Sequence, residues 1–278
     1  MFRMFEGSQH ARLYAQFRPD PPAPLLERVL EFVRRSAPLQ RAVDVGCGTG
    51  QNSRLLAAHF DSVLATDISP SQVAEAAAAG SCDNISYQAA PAEQIPAPDG
   101  SVHLITASVC FHFFDRAAFL AEVDRVLAPG GVVAAYSYQL PYACLADGAV
   151  WTEFTSVLRE ASDVHLSSYW VLPTRDAKGG AREAMAMIPY PDKVWDETSF
   201  FTERPLSVEY VLGEMASWSA FQNMVTSRGA AEGDELLRRT GGRLRAVVAD
   251  GGRRGVDVAG ATERRQWYMW LARKPAAE

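Results

Sequence analysis

A run of apolar residues that breaks into alternate glycines constrains this chain more than any other feature. Ala42-Val43-Asp44-Val45 leads into Gly46-Cys47-Gly48-Thr49-Gly50, and Gln51 to Phe60 follows with the composition of a helix. The order is strand, tight turn and helix start. Glycine reaches backbone conformations closed to other residues and lets a ligand lie on the main chain, while the N–H groups that open the helix point at it. Asp67 comes after the next apolar run, Val63-Leu64-Ala65-Thr66, where a carboxylate can accept both hydroxyls of a ribose. Together the turn and Asp67 predict a nucleoside-containing cofactor on an open α/β sheet.

The rest of the chain narrows the partners. Its 278 residues suit one α/β domain with an insertion, and 48% hydrophobic against 22% charged residues are ordinary globular values. A formal charge of −6 gives no basic footprint for nucleic acid or for an anionic membrane, so the expected substrate is a small molecule. Cys47, Cys82, Cys110 and Cys144 are far apart with no C-x-x-C pair, which argues against a zinc site or a disulfide framework and for reduced thiols. No apolar run approaches the roughly 18 residues needed to span a bilayer, and Met1 to Glu6 lack a signal-peptide core. The expected compartment is the cytoplasm.

Local signals place further elements. Leu25, Leu26, Val29, Leu30, Phe32 and Val33 fall at helical spacing after a proline-rich stretch. Ser69-Pro70 reads as the start of a helix that Gly80 ends, and Asp115 as the N-cap of a helix whose apolar face is Phe119, Val123, Val126 and Leu127. Asn84–Gln88, Ser101–Ala107 and Val132–Tyr136 read as strands, Ser199–Arg204 as another, and Arg265–Ala272 as a last, antiparallel one. Val208–Ala216 and Ala220–Arg228 read as helices, and Glu235–Ala249 as a helix broken at Gly241-Gly242. Between Pro141 and Phe200 stand several large aromatics, among them Trp151, Phe154, Tyr169, Trp170, Tyr190 and Trp195.

The spacing Gly46-x-Gly48-x-Gly50, with Asp44 inside the preceding strand, differs from the G-x-G-x-x-G usual for nicotinamide and flavin sites. It resembles the class I S-adenosylmethionine-dependent methyltransferases. Tyr14 to Pro19 is similar to the "Y-x-x-(Y/F)-R-P" opening of small-molecule members related to trans-aconitate methyltransferase. Ala90 to Pro96 resembles their "G-D-A-E-x-L-P" loop, Phe111 to Asp115 their "H-W-F-D", and Arg125 to Gly131 their "R-V-L-x-P-G-G" turn. These motifs cover about residues 9 to 140. Two positions depart from the pattern: Pro91 replaces an acidic residue beside the adenine, and His103 replaces an aspartate.

The resemblance implies a single domain over 1–278: a doubly wound, seven-stranded, mostly parallel sheet with an N-terminal arm over 1–24 and a helical substrate cap over 141–200. It implies S-adenosyl-L-methionine as cofactor. Asp44 would help seat the amino-acid end, with Gly46, Gly48 and Gly50 passing beneath it. Asp67 and Ile68 would hold the ribose, Ala92 and Glu93 the adenine, and Tyr14, Arg18 and Ser108 would close over the ligand. The implied activity is methyl transfer to a small organic acceptor, with a carboxyl or hydroxyl oxygen first and a thiol or amine second. His112 is the candidate base if the acceptor must lose a proton, or otherwise a structural residue of the pocket floor. A nicotinamide oxidoreductase and a non-catalytic S-adenosylmethionine-binding protein are the alternatives.

Overall fold

The apolar runs of the first half become five parallel strands. In the computed structural model, which describes residues 8–80, 82–171 and 177–276, these are β1 (Arg41–Val45), β2 (Ser62–Asp67), β3 (Ile85–Ala89), β4 (Val102–Ser108) and β5 (Leu127–Tyr138). They lie in the order β3-β2-β1-β4-β5. Strands β1, β4 and β5 are buried along most of their length, as expected where helices cover both faces of a parallel sheet.

Beyond β5 the sheet turns antiparallel. The 12-residue β9 (Thr262–Arg273) pairs along one edge with β5 and with β6 (Tyr142–Cys144). Along its other edge lie β7 (Asp192–Asp196) and β8 (Phe201–Pro205). Nine strand segments among the described residues therefore fill seven positions across the sheet, because β6 continues the line of β5 and β8 the line of β7. The expected seven-stranded, mostly parallel sheet is present with its outer strands interrupted.

Helices pack on both faces. On one face α2 (Ala23–Arg34) sets Leu25, Val29 and Phe32 against Leu104, Ala134 and Trp267, joined by Leu56 of α3 (Gln51–Ala57). On the other, Phe119 and Val123 of α5 (Arg116–Val126) and Ala181 and Ala184 of α7 (Ala177–Met187) cover Val43, Ile105 and Val133. The caps read from the sequence form: Ser69 Oγ accepts from Gln72 N at 3.4 Å to start α4 (Pro70–Ala78), and Asp115 Oδ1 accepts from Ala118 N at 3.1 Å to start α5.

A lid with its own apolar cores sits over the carboxyl ends of the parallel strands, and two separate insertions build it. The first, between β5 and β7, contains β6 and α6 (Thr152–Glu160), which runs on into a wider π-turn over Ala161–His165. The second, between β8 and β9, contains α8 (Val208–Ala216), α9 (Ser219–Arg228) and α10 (Ala230–Arg253). Trp151, Phe154 and Leu158 pack against Val208, Val211 and Leu244, while Leu166 packs with Met215, Trp218, Phe221 and Leu236. The 141–200 segment is thus divided: Tyr190 and Trp195 belong to the sheet's core, and half of the lid comes from residues beyond 205. Residues 1–7 of the 1–24 arm and 172–176 of the 141–200 segment lie outside the described residues; the arm's described part is α1 (Ser8–Phe17) and the turn to α2.

One expectation is corrected here: α10 runs unbroken through Gly241-Gly242. A Cβ at Gly241 would stand 2.7 Å from Leu212 Cδ1, so glycine gives close packing against α8 at the modest cost in helix propensity of about 1 kcal/mol. No described helix is long and apolar enough to cross a membrane.

A buried polar network ties the first helix after the glycine turn to the sheet. Asp44, fully buried in β1, accepts hydrogen bonds from Asn52 Nδ2 at 2.7 Å, Ser53 Oγ at 2.6 Å and Thr106 Oγ1 at 2.7 Å. Tyr136 Oη of β5 donates to Asn52 Oδ1 at 2.6 Å. Removing the common acceptor strands the Ser53 and Thr106 hydroxyls and leaves Asn52 Nδ2 with Thr106 Oγ1 alone, at 3.1 Å. Asp44→Ala is therefore expected to lower unfolding free energy by about 2–4 kcal/mol in denaturant titration, a loss below about 0.5 kcal/mol contradicting this role.

Candidate active site

The site grows from the glycine turn, whose three glycines all adopt positive φ, +63° at Gly46, +55° at Gly48 and +79° at Gly50. Their surroundings differ. A Cβ at Gly46 would meet Cys110 Sγ at 2.7 Å, and one at Gly50 would meet Tyr87 Oη at 2.7 Å. At Gly48 the nearest atoms, Gln72 Oε1 and Tyr14 Cε1, are each 4.0 Å away. Gly48 is bare main chain on the wall of a cavity of about 640 Å³, a volume within the range usual for small-molecule sites.

Asp67 ends β2 beside this turn and fixes it. Its Oδ2 accepts from Gly48 N at 2.9 Å and its Oδ1 from Ser69 N at 2.8 Å, so both oxygens are oriented and each keeps a lone pair. Burial pushes its carboxyl above the usual range, opposed by these two N–H donors. Ile68, Ala92, Glu93 and Ser108 also line the cavity, with Gly46 and Gly48. Glu93 is partly committed, its Oε1 accepting from Asp115 N at 2.8 Å.

The arm and the lid close the cavity from above. Tyr14 and Arg18 come from α1 and the residue after it, and both line the cavity. Arg18 donates from Nε to Ser217 Oγ at 2.8 Å, from Nη1 to Tyr138 Oη at 2.8 Å and from Nη2 to Ser217 O at 3.1 Å. These three bonds use three of the five guanidinium N–H groups, and none of the three acceptors is a carboxylate. Tyr138, Trp170, Trp218 and Tyr268 supply aromatic walls.

His112 lies on the same wall in a 3₁₀ turn (Phe111–Phe113), its ring 4.1 Å from that of Phe113. Burial, with the Arg18 charge nearby, pulls its pKa down to about 4. The imidazole is neutral near pH 7. Burial likewise pushes the Cys110 thiol well up, leaving it protonated.

Two expected contacts do not line the cavity. Asp44 is turned into the sheet, where its oxygens accept from Asn52, Ser53 and Thr106, so it holds the turn through α3. Gly50 serves as the left-handed N-cap of α3, packed against Tyr87 and Ala76. Of the other histidines, His10 is buried with Nε2 3.0 Å from Ser217 O, and His165 sits beside Glu160 and Arg239.

Other residues of the site escaped the sequence reading. Gln72 stands one turn into α4, and its Oε1 is buried with no hydrogen-bond partner among the described residues. Val109 holds φ +59°, a strained conformation for a β-branched residue, on the cavity wall after β4, with its N–H donating to Tyr136 O at 2.8 Å. Glu214 and Trp218 arrive from the second insertion, about 100 residues downstream of His112, and no local motif marks them.

An adenosyl cofactor fits these residues. The open face at Gly48, the two oriented oxygens of Asp67 and the unfilled acceptor of Gln72 together form a cradle for a ligand rich in hydroxyl and amino donors. Residues 43–135 match the methyltransferase domain family. A candidate methyltransferase of Dictyostelium discoideum is 36% identical over 99 residues, 36% of each chain. Methyltransferase AacuQ of Aspergillus aculeatus is 29% identical over 196 residues, 69% of this chain and 56% of that protein. The alignments thus span between about a third and a little over half of these curated relatives. Among solved structures, a candidate type II methyltransferase from Anaeromyxobacter dehalogenans superposes with a TM-score of 0.72 at 25% identity, covering 94% of this chain and all of that one. With the order β3-β2-β1-β4-β5 followed by antiparallel β9 and the glycine turn on the cavity wall, these matches give the chain the fold of the class I S-adenosylmethionine-dependent methyltransferases, with residues 43–135 matching the methyltransferase domain family.

Proposed function

We propose that this chain transfers a methyl group from S-adenosylmethionine to an oxygen of a small organic acceptor, with a carboxylate oxygen favoured. The observation that carries the reading is the continuity of one cavity, which runs from Gly48 and Asp67 to Arg18, Tyr138 and the lid. Cofactor and acceptor can therefore meet within one partly enclosed space. When bound, the cofactor supplies an activated methyl group: the acceptor oxygen's lone pair forms the new C–O bond as the C–S bond breaks and its electron pair returns to sulfur. The protein's part is to hold the acceptor in line, and such positioning contributes roughly 7–11 kcal/mol toward a barrier.

The electrostatics favour an acceptor that is already an anion. Arg18 keeps N–H groups for an anionic oxygen, and a guanidinium holds its charge at any physiological pH. His112, with its pKa near 4, is too weak a base to draw a proton efficiently from an alcohol or a protonated amine. A carboxylate needs neither step. Aromatic walls that exclude water disfavour the separated charges of carboxylate and sulfonium more than the neutral products, which helps the same reaction. A small-molecule partner and a cytoplasmic setting complete the proposal.

Calorimetric titration with S-adenosylhomocysteine tests the cofactor half. Wild type should bind it, and Asp67→Ala should weaken binding about 10–100-fold, the worth of one or two hydrogen bonds to a charged group. Gly48→Val should abolish binding, since its side chain would enter the open face. Thermal stabilisation by NADH in place of S-adenosylhomocysteine would overturn the reading in favour of an oxidoreductase.

Transfer of labelled methyl to a panel of small acids, phenols, thiols and amines tests the other half. Tight cofactor binding without any transfer would instead mark a non-catalytic binding protein. With an acid acceptor the rate should stay flat between about pH 6 and 8, because His112 keeps one protonation state there and gains its proton only as pH falls toward 4. His112→Ala should lower kcat/KM by less than about fivefold. A rate that climbs through pH 6.5 and collapses in His112→Ala would make this residue the base and the acceptor a proton-bearing group.

A further inference from the structure

A cluster of charges stands where the lid meets β9, and one member opens on the cavity. Glu214 on α8, and Glu263 and Arg265 on β9, are each no more than 3% exposed. Arg265 Nη2 donates to both Glu214 Oε2 and Glu263 Oε1. Arg204 of β8 donates to Glu263 Oε1 at 2.8 Å. Of these four side chains only Glu214 lines the cavity. Its Oε2 is taken by Arg265, while its Oε1 is buried with no hydrogen-bond partner among the described residues, as are Glu263 Oε2 and Arg265 Nε and Nη1 in the same cluster. A buried acceptor left unmade is costly, so a ligand that brings a donor to this oxygen is favoured over one that does not.

Resting on the methyl-transfer reading above, we infer that Glu214 selects the acceptor: the methylated molecule is a small hydroxy acid whose hydroxyl donates to Glu214 Oε1 while its carboxylate faces Arg18. Ser217, three residues after Glu214, accepts two of the Arg18 bonds, so the anion-binding and donor-binding groups hang from one stretch of the lid. Trp170, Trp218 and Tyr138 give flat walls suited to an aromatic or similarly planar body.

The test separates this inference from the reading beneath it. Binding of S-adenosylhomocysteine is first measured by calorimetry for wild type, Glu214→Gln and Glu214→Asp. Benzoate, the three hydroxybenzoates and the matching methoxybenzoates are then titrated into each S-adenosylhomocysteine-loaded protein. Wild type should bind at least one hydroxybenzoate about tenfold or more tightly than both benzoate and its methoxy counterpart. In Glu214→Gln, Arg265 retains the amide oxygen and the amide N–H groups face the cavity, so the preference should vanish or invert toward the methoxy compound. Glu214→Asp keeps the charge for Arg265 with one methylene less reach, and its preference should lie between; it decides the matter if Glu214→Gln does not fold. Wild type that fails to bind S-adenosylhomocysteine overturns the cofactor reading and the inference with it. Intact cofactor binding with no hydroxyl preference, or with a preference that survives in Glu214→Gln, overturns the role of Glu214 alone.

Discussion

The carboxylate of Asp44 is the fixed point of this structure. Three donors converge on it from α3 and β4, and through Asn52 the network reaches Tyr136 on β5. Burial, with the charge of Asp67 nearby, pushes the Asp44 carboxyl up, and the bonds from Ser53, Thr106 and Asn52 work against that shift. An acid so placed is costly unless every lone pair is engaged. The return is geometric: α3 cannot slide or rotate against the sheet, so the glycine turn between them presents Gly48 at a fixed height over the cavity. The site is thereby set by a residue that does not line it.

Much of the fold was legible because its signals are local. Alternate glycines, the Ser69 and Asp115 caps and the apolar runs of β1 to β4 each act within a few residues, and the structure keeps them within one or two positions, whereas β5 starts at Leu127, five residues before the expected Val132 and on a residue expected in the helix. The cradle at Gly48 and Asp67 was legible for the same reason, since strand, turn and carboxylate lie within one βαβ unit. The role of Asp44 was not. A carboxylate in a strand next to a turn reads equally well as a ligand contact or a buried pin, and only Asn52, Ser53 and Thr106 around it decide between the two. Gly241-Gly242 misled similarly, because a helix-breaking propensity of about 1 kcal/mol per glycine is small beside the packing of α10 on α6, α8 and α9.

The acceptor half of the cavity is illegible in sequence for a topological reason. Its walls come from α1, the end of β5 and two insertions, with Arg18, Tyr138, Trp170 and Trp218 lying in turn 120, 32 and 48 residues apart in the chain. Trp170 and Trp218 share one apolar lid core, with rings 5.9 Å apart, yet lie on different insertions. Only the folded lid brings them together. Counting aromatics in 141–200 could find Trp170 but not Trp218 or Glu214, and it could not tell that Tyr190 and Trp195 serve the sheet.

The charges behind the lid follow the same logic as Asp44 with the opposite outcome. Removing Glu214, Glu263 and Arg265 from water is expensive, and an apolar substitute of equal volume would stabilise the lid as well or better. Their persistence in a contact that already has Trp218, Met215 and Phe221 close by is therefore not explained by stability. What the cluster does provide is register. Arg265 on β9 grips Glu214 on α8, Arg204 from β8 ties into the same group, and Arg18 reaches Ser217 from the arm. Sheet, lid and arm are each held by a directional bond at one corner of the cavity, whereas apolar packing alone would let the lid settle in several positions of similar energy. An in-line displacement tolerates little variation in the angle between donor and acceptor atoms. On this argument the buried charges fix the position of the lid over the cavity, as Asp44 fixes the glycine turn on the other side.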